Sequence, residues 1–105
     1  MKVFKLDNVI YRLGENAKEN HQLIDDADKN DWWFHLENHP SGHVVVDLSI
    51  LNKTQIKYAA TIVKEYSKLN DYKKVKVCYL QIKNLKKTKN PGEVKLLKKP
   101  EFVSI

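Results

Sequence analysis

Hydrophobic residues are most concentrated between residues 31 and 48, on both sides of a break that contains Pro40 and Gly42. The residues that flank this break are mostly aromatic or β-branched, a composition that favours extended chain over helix. The pattern therefore predicts a strand, a loop and a second strand, and the rest of the chain is organised around this pair.

The first of these strands carries bulky side chains on both faces. Alternation places Trp32, Phe34 and Leu36 on one face and Trp33, His35 and Glu37 on the other. We assign Trp32 and Phe34 to the core. Trp33 and His35 are then predicted to flank the basic surface formed by the C-terminal lysines, where an indole stacked on an unpaired base contributes about 1–3 kcal/mol. The alternative is that Trp33 covers a second small cluster under a helix.

Local signals predict further elements before and after this pair. They are strands at 2–6 and 9–13, a helix from Ala17 to about Ala27, and a second helix that begins at 52–54. Asp7 and Asn8 suit the tight turn of a hairpin, and Asn16 can cap the first helix. The second helix shows apolar residues at three- and four-residue spacing. These residues are Ile56, Ala59, Ala60, Val63 and Tyr66.

The C-terminal third returns to the alternation of a strand. The predicted segments are a strand within 73–85, a polar basic loop at 85–90, a turn at 91–92, a strand at 94–97 and an edge segment at 102–105. This element order predicts an α+β fold, a largely antiparallel mixed sheet with two helices packed mainly on one side. Residues 1–105 are predicted to form a single domain.

Composition narrows the class of protein. The chain is 42% hydrophobic and 30% charged, which is ordinary for a soluble globular domain. It contains neither an apolar run of membrane-spanning length nor a signal-peptide pattern, so a cytoplasmic protein without membrane contact is expected. Cys78 is the single cysteine, which excludes an intrachain disulfide and a cysteine-based zinc cluster.

Charge is distributed unevenly along the chain. Residues 1–72 carry a net charge of −2, whereas residues 73–105 carry ten lysines against two glutamates, a net charge of +8. Concentrated positive charge attracts polyanions because it neutralises phosphates and releases their counterions. The alternative is a solvated lysine-rich surface without a ligand.

Three histidines invite a comparison with metal sites and hydrolases. His35, His39 and His43 recur at every fourth residue, but Pro40 and the valines that follow oppose the helix on which this spacing would align them. Ser41 lies beside His43 without the strand-turn-helix elbow of a nucleophile. We therefore predict no catalytic residue, no metal and no cofactor, and a hydrogen-bonding role for His35 and His43.

The central segment also resembles a known family. Trp33, Phe34 and His35, followed by Pro40, Ser41, Gly42, His43 and Val44, are similar to the signature of the NFACT-R domain, the RNA-binding module of NEMF- and RqcH-type ribosome quality-control factors. Matches continue in order on both sides. They are Gly14, Asn16, Ala17, Glu19 and Asn20 before it; Ala59, Ala60, Tyr66, Ser67, Lys74, Val75, Val77 and Tyr79 after it; and a lysine-rich run that ends in Pro91, Gly92 and Val94. One departure is that glycine precedes serine in the family pattern, whereas Ser41 precedes Gly42 here.

The resemblance implies a non-enzymatic RNA-binding module that contacts tRNA or ribosomal RNA in translation or ribosome quality control. The predicted nucleic-acid-binding residues are Trp33, His35, Ser41, His43, Lys74, Lys76, Lys86, Lys87 and Lys89, with Asn16, Lys18 and Asn20 as secondary candidates. Two alternatives remain open on the sequence: a DNA-binding protein, because phosphate attraction does not distinguish the two polymers, and a protein-interaction module of a larger assembly.

Overall fold

A six-stranded antiparallel sheet forms the centre of the computed structural model, which describes residues 1–105. In chain order the elements are β1 (Lys2–Leu6), β2 (Val9–Leu13), α1 (Ala17–Asp26), β3 (Trp32–Leu36), β4 (Val44–Val46), α2 (Lys53–Glu65), β5 (Lys76–Gln81), a 3₁₀ turn (Ile82–Asn84), β6 (Leu85–Lys87), β7 (Val94–Leu96) and β8 (Glu101–Ser104). The strand order is β1-β2-β4-β3-β5-β8, and β6 and β7 form a separate two-stranded sheet. Neither helix is long and apolar enough to cross a membrane. The predicted α+β class and antiparallel sheet are confirmed.

The predicted N-terminal hairpin is confirmed. Strands β1 and β2 pair in antiparallel register, and the turn between them places Asp7 at φ 51° and Asn8 at φ 65°. Both angles lie in the left-handed region that asparagine and aspartate tolerate better than most residues. The turn sequence thus sets the register of the hairpin.

The predicted strand-loop-strand segment is also confirmed, and it lies at the centre of the sheet. Trp32 pairs with Val46 and Phe34 pairs with Val44, so β3 and β4 run antiparallel around the loop at 37–43. On its other side β3 pairs with β5. The central position explains why β3 must be bulky on both faces, since neither face is left to solvent.

One face of the sheet packs against α2. The side chain of Asn52 accepts a hydrogen bond from the Gln55 N–H, and the Gln55 side chain returns one to the Asn52 N–H, so a complete capping box starts this helix. Ala59 and Ala60 are fully buried in the main cluster, where their small side chains let the helix approach the sheet. Phe34 belongs to the same cluster, as predicted.

The opposite face carries a second cluster covered by α1 and by the β6–β7 hairpin. Its buried members are Leu23, Trp33, Val45, Cys78, Leu80 and Ile82, with Leu85, Val94 and Leu96 packed against them. The two helices therefore lie on opposite faces, and the prediction that they pack mainly on one side is wrong. The physical reason is the second apolar face of β3 and β5, which needs a cover of its own.

The C-terminal third differs from the prediction in one element. The basic loop predicted at 85–90 begins with strand β6, in which Leu85 pairs with Leu96 of β7. Both leucines pack on the second cluster, and this burial holds the segment extended. The strand predicted at 94–97 is confirmed as β7, and the C-terminal edge segment is confirmed as β8, which pairs with β5.

The assignment of α1 to the second cluster can be tested by Leu23→Ala. Leu23 is 4% exposed, so its truncation leaves a cavity and we expect the free energy of unfolding to fall by about 2–5 kcal/mol. Lys18→Ala, at an exposed position of the same helix, is the matched control and should change stability by less than about 0.5 kcal/mol. Chemical denaturation of both variants measures this. Equal stabilities would place Leu23 outside the core.

Candidate nucleic-acid interface

An open groove of about 1170 Å³ lies on the face of the sheet that carries Trp33 and His35. Its walls are the start of α1, the loop at 37–43 and the β6–β7 turn at 90–94, and it extends to residues 66–69 after α2. Six of the predicted site residues line it, namely Trp33, His35, Ser41, His43, Asn16 and Asn20. The residues of the central signature and those at the start of α1 are therefore brought together by the fold.

All three glycines of the chain lie where these walls meet. A side chain at Gly42 would overlap the carbonyl oxygen of Gly14, and one at Gly14 would overlap the Asn20 side chain. Gly92 has φ +81° and places its Cα so that a Cβ would lie 3.0 Å from the Cβ of Ala17. Gly42 has no positive φ, so it is required by close approach and not by backbone conformation.

Hydrogen bonds join the loop to the helix at this point. The Gly14 N–H donates to the His43 carbonyl at 2.9 Å, and the His43 N–H donates to Asn20 Oδ1 at 3.1 Å. Asn20 is 7% exposed, and its amide satisfies a backbone group that water does not reach. Asn20 is thus a structural brace of the groove.

Ser41 is also held by its own loop. Its Oγ accepts from the Leu36 N–H at 3.2 Å and donates to the Gly42 carbonyl at 2.9 Å. With these two bonds the hydroxyl stabilises the turn between β3 and β4. This contact accounts for Ser41 without a nucleophilic role.

Three aromatic rings form the floor of the groove. The Trp33 and His35 rings are stacked, with centroids 5.6 Å apart and planes within 6° of parallel. The His43 ring stands nearly perpendicular to both, at 5.5 Å from Trp33 and 5.1 Å from His35. Such offset-stacked and edge-to-face arrangements are the favoured contacts of π systems.

Burial determines the charge of the two histidines. Burial, with smaller contributions from the neighbouring His35 and His21, lowers the pKa of His43 to about 3. Burial also lowers the pKa of His35, against the opposing effect of a 2.7 Å hydrogen bond between its Nδ1 and the Leu36 carbonyl. A carbonyl only accepts, so Nδ1 carries the proton and Nε2 of the neutral ring is an acceptor.

The structure corrects the predicted role of Trp33. Its side chain is 2% exposed and belongs to the second cluster, so the expectation of an exposed indole that stacks on a base is wrong, and the alternative of a second cluster is confirmed. Its Nε1 and the Nδ1 of His43 are buried without a hydrogen-bond partner. Of the three rings, His35 is the one that is only partly buried.

The predicted lysines do not line the groove, and neither does Lys18. Lys74, Lys76, Lys86, Lys87 and Lys89 are exposed elsewhere. The Lys76 ammonium lies 4.4 Å above the Phe102 ring, and Lys87 forms an ion pair with Asp25 of α1. The charged residues that do line the groove are Glu15, Glu37, Glu93 and Lys68.

The β6–β7 hairpin is fastened to α1 by contacts that sequence reasoning missed. His21 Nε2 lies 3.2 Å from the Glu93 carbonyl, Gly92 packs on Ala17, and Lys87 reaches Asp25. The predicted turn at 91–92 was the one feature of the sequence that indicated a reversal of the chain in this segment. No cluster of three histidine, cysteine or acidic side chains is arranged to hold a metal ion.

Comparisons with known proteins give one matching family and two similar proteins. The sequence profile described as NFACT protein RNA binding domain matches residues 2–102. The chain is 36% identical over 76 residues to the Bacillus subtilis (strain 168) protein named Rqc2 homolog RqcH, an alignment that covers 71% of this chain and 13% of that protein. It is also similar to the solved C-terminal part of the fibronectin/fibrinogen-binding protein from Streptococcus suis, with a TM-score of 0.91 and 25% identity. That match covers 98% of this chain and 44% of the solved chain, so this chain spans a minor part of both relatives.

The close approach at Gly42 predicts that Gly42→Ala is destabilising. The added methyl group would force the Gly14 backbone away from the loop, and we expect a loss of about 1–3 kcal/mol in the free energy of unfolding. His39→Ala, at an exposed position in the same loop, is the control and should be nearly neutral. Denaturant titration of both variants provides the measurement. A neutral Gly42→Ala would contradict the close approach.

The burial of His43 predicts acid sensitivity. Its folded pKa of about 3 lies below the ordinary value of 6.5, so the unfolded chain takes up a proton that the folded chain excludes. The stabilisation is complete above about pH 6.5 and is lost as the pH falls towards 3, by up to about 1.4 kcal/mol per pH unit. Unfolding free energies from pH 7.5 to 4.5 should fall less steeply for His43→Gln than for the unmodified chain. His39→Gln is the control and should retain the full slope.

Proposed function

The chain belongs to the NFACT RNA-binding domain family, and from this membership we propose that it is a non-enzymatic module that binds structured RNA, such as tRNA or ribosomal RNA, in the cytoplasm. Its similarity to the protein named Rqc2 homolog RqcH supports a place in ribosome quality control. The proposal concerns this domain alone, since the chain spans 13% of that relative.

The observation that carries the proposal is the convergence of the signature residues in one groove. Residues from α1, from β3 and from the loop before β4 line a single open surface, although they are up to 27 positions apart in sequence between Asn16 and His43. Open grooves with a few convergent polar groups are the usual form of a binding site. A fold held together only for stability would not require this surface to stay open.

The β6–β7 hairpin carries positive charge on its outer face, outside the groove. Lys86 and Lys95 lie directly opposite each other across the hairpin, and both are exposed. Like charges in this position repel each other, and a bound anion removes the repulsion. Lys86 and Lys95 alternate with the hairpin residues that pack on the second cluster, so they lie on its outer face. The turn of the same hairpin forms one wall of the groove, and an RNA strand on these lysines would cross this turn to reach the groove.

Charge reversal on the hairpin tests the RNA contact. We expect Lys86→Glu combined with Lys89→Glu to lower affinity for tRNA about tenfold or more and to reduce the slope of log affinity against log salt by about two. Lys87 is left unchanged because a glutamate there would face Asp25 and disturb the fold. Binding titrations at several salt concentrations measure both quantities.

The matched control is Lys53→Glu combined with Lys57→Glu. These lysines are exposed on α2, on the other face of the sheet, and their reversal changes the net charge by the same amount. If both double variants weaken binding equally, the effect is one of net charge and the proposed contact is wrong. Competition with duplex DNA of equal length tests whether RNA is preferred.

A further inference from the structure

We propose that the groove holds one unpaired nucleotide of the RNA, with its base against the free face of the His35 ring and one of its hydrogen-bond donors on His35 Nε2. This inference rests on the proposed function and adds the chemical class of the group that enters the groove. It follows from the geometry of the three rings, from the hydrogen bonding of His35 and from the charges of the lining.

His35 lines the groove, and no second aromatic ring covers the face of His35 opposite Trp33. Trp33 covers one face of His35, and the two rings are parallel. The His43 centroid lies 5.5 Å from Trp33 and 5.1 Å from His35, so His43 stands beside the pair and not on the far side of His35. A base on that far face would extend the stack from two rings to three, an arrangement that proteins use for single-stranded nucleic acid.

The free nitrogen of His35 is an acceptor, so the ligand must supply a hydrogen-bond donor. Its Nδ1–H is committed to the Leu36 carbonyl, and its Nε2 has no partner within the chain. Nε2 also differs from Trp33 Nε1 and His43 Nδ1 in not being buried, so a ligand in the groove can reach it. A phosphate oxygen only accepts hydrogen bonds and would not pair with this nitrogen, whereas a base amino group or a ribose 2′-hydroxyl can donate to it.

The charges that line the groove also disfavour a phosphate group of the RNA at the His35 ring. Glu15, Glu37 and Glu93 line the groove together with a single lysine, Lys68. A phosphate placed among these carboxylates would be repelled, while a neutral base would not. The phosphates of the same strand are then expected outside the groove, on the exposed Lys86 and Lys95 of the hairpin.

The space is sufficient for this ligand. A volume of about 1170 Å³ exceeds the range of about 300–1000 Å³ typical of pockets for small molecules. This volume belongs to the whole open groove, so the overall size of the groove does not exclude a base together with its ribose. A base inside a duplex is not free to enter the groove, which restricts the ligand to loops, bulges and strand ends.

The experiment compares single-stranded probes that differ in one donor. The probes are oligoadenylate, the same length of purine riboside, which lacks the exocyclic amine, and oligodeoxyadenylate, which lacks the 2′-hydroxyl. The unmodified chain should bind oligoadenylate about fivefold to tenfold more tightly than one of the two analogues. Weaker binding of purine riboside identifies the base amine as the donor, and weaker binding of the deoxy probe identifies the ribose hydroxyl.

His35→Phe then tests the residue. Phenylalanine keeps a ring on Trp33 but has no acceptor, so the folded variant should bind all three probes alike. Its melting temperature should fall because the Leu36 carbonyl loses the Nδ1–H donor. Thr54→Phe, at an exposed position of α2 outside the groove, should keep the discrimination. If His35→Phe does not fold, the probe comparison on the unmodified chain decides by itself.

Two failures are distinguishable. If the chain binds tRNA with the expected salt dependence but does not discriminate among the probes, the nucleotide-binding groove is wrong and the proposed function stands. The same conclusion follows if His35→Phe is folded and retains the discrimination. If neither tRNA nor any probe binds, both proposals are wrong.

Discussion

The contact between the backbones at Gly14 and Gly42 is the constraint on which the arrangement of the groove depends. Only residues without a side chain allow the loop before β4 to come this close to the start of α1. The approach lets the Gly14 N–H bond the His43 carbonyl and brings the His43 N–H to Asn20. These buried groups would otherwise be desolvated without partners, at a cost of about 1–3 kcal/mol each. The same contact that stabilises the fold therefore fixes two walls of the groove relative to each other.

The burial of Trp33 shows why the second face of the sheet is covered and not exposed to solvent. Covering an indole removes about 150–250 Å² of surface from water, which is worth about 4–6 kcal/mol. Leaving its N–H unpartnered costs about 1–3 kcal/mol, so burial is favoured despite the orphaned donor. Alternation along β3 indicated that both faces were bulky, but it does not show which side chain a distant segment will cover. The cover comes from α1 and the β6–β7 hairpin, and His35 is left at the edge because the hairpin ends there.

The sequence was informative wherever a short segment determines its own structure. The Asp7–Asn8 turn and the Asn16 cap act within a few residues, and the hairpin and the first helix were predicted from them. The second helix was predicted from the three- and four-residue spacing of its apolar side chains. Contacts between distant segments have no such local cause. The segment at 85–90 was predicted as a polar basic loop, yet Leu85 pairs with Leu96 and begins a hairpin in which Lys86 lies opposite Lys95. Four residues named from the motif resemblance line one groove in the structure, namely Asn16, Asn20, His35 and His43. Their role in nucleic-acid binding stays a prediction.

The exposed lysines of the last third lie outside the groove, whereas the hydrogen-bond acceptor of His35 lies in it. This separation affects which part of a nucleic acid each can bind. Lysines bind any phosphate, so a lysine in the groove would attract every nucleotide equally. A neutral imidazole acceptor repels phosphate oxygens and accepts only from a donor, so it can distinguish one nucleotide from another. The His35 imidazole is such an acceptor, and it stays neutral because burial lowers its pKa. Close packing of the Trp33, His35 and His43 rings thus does two things at once: it completes the second core, and it keeps an uncharged acceptor at the surface of a domain whose last third is strongly cationic.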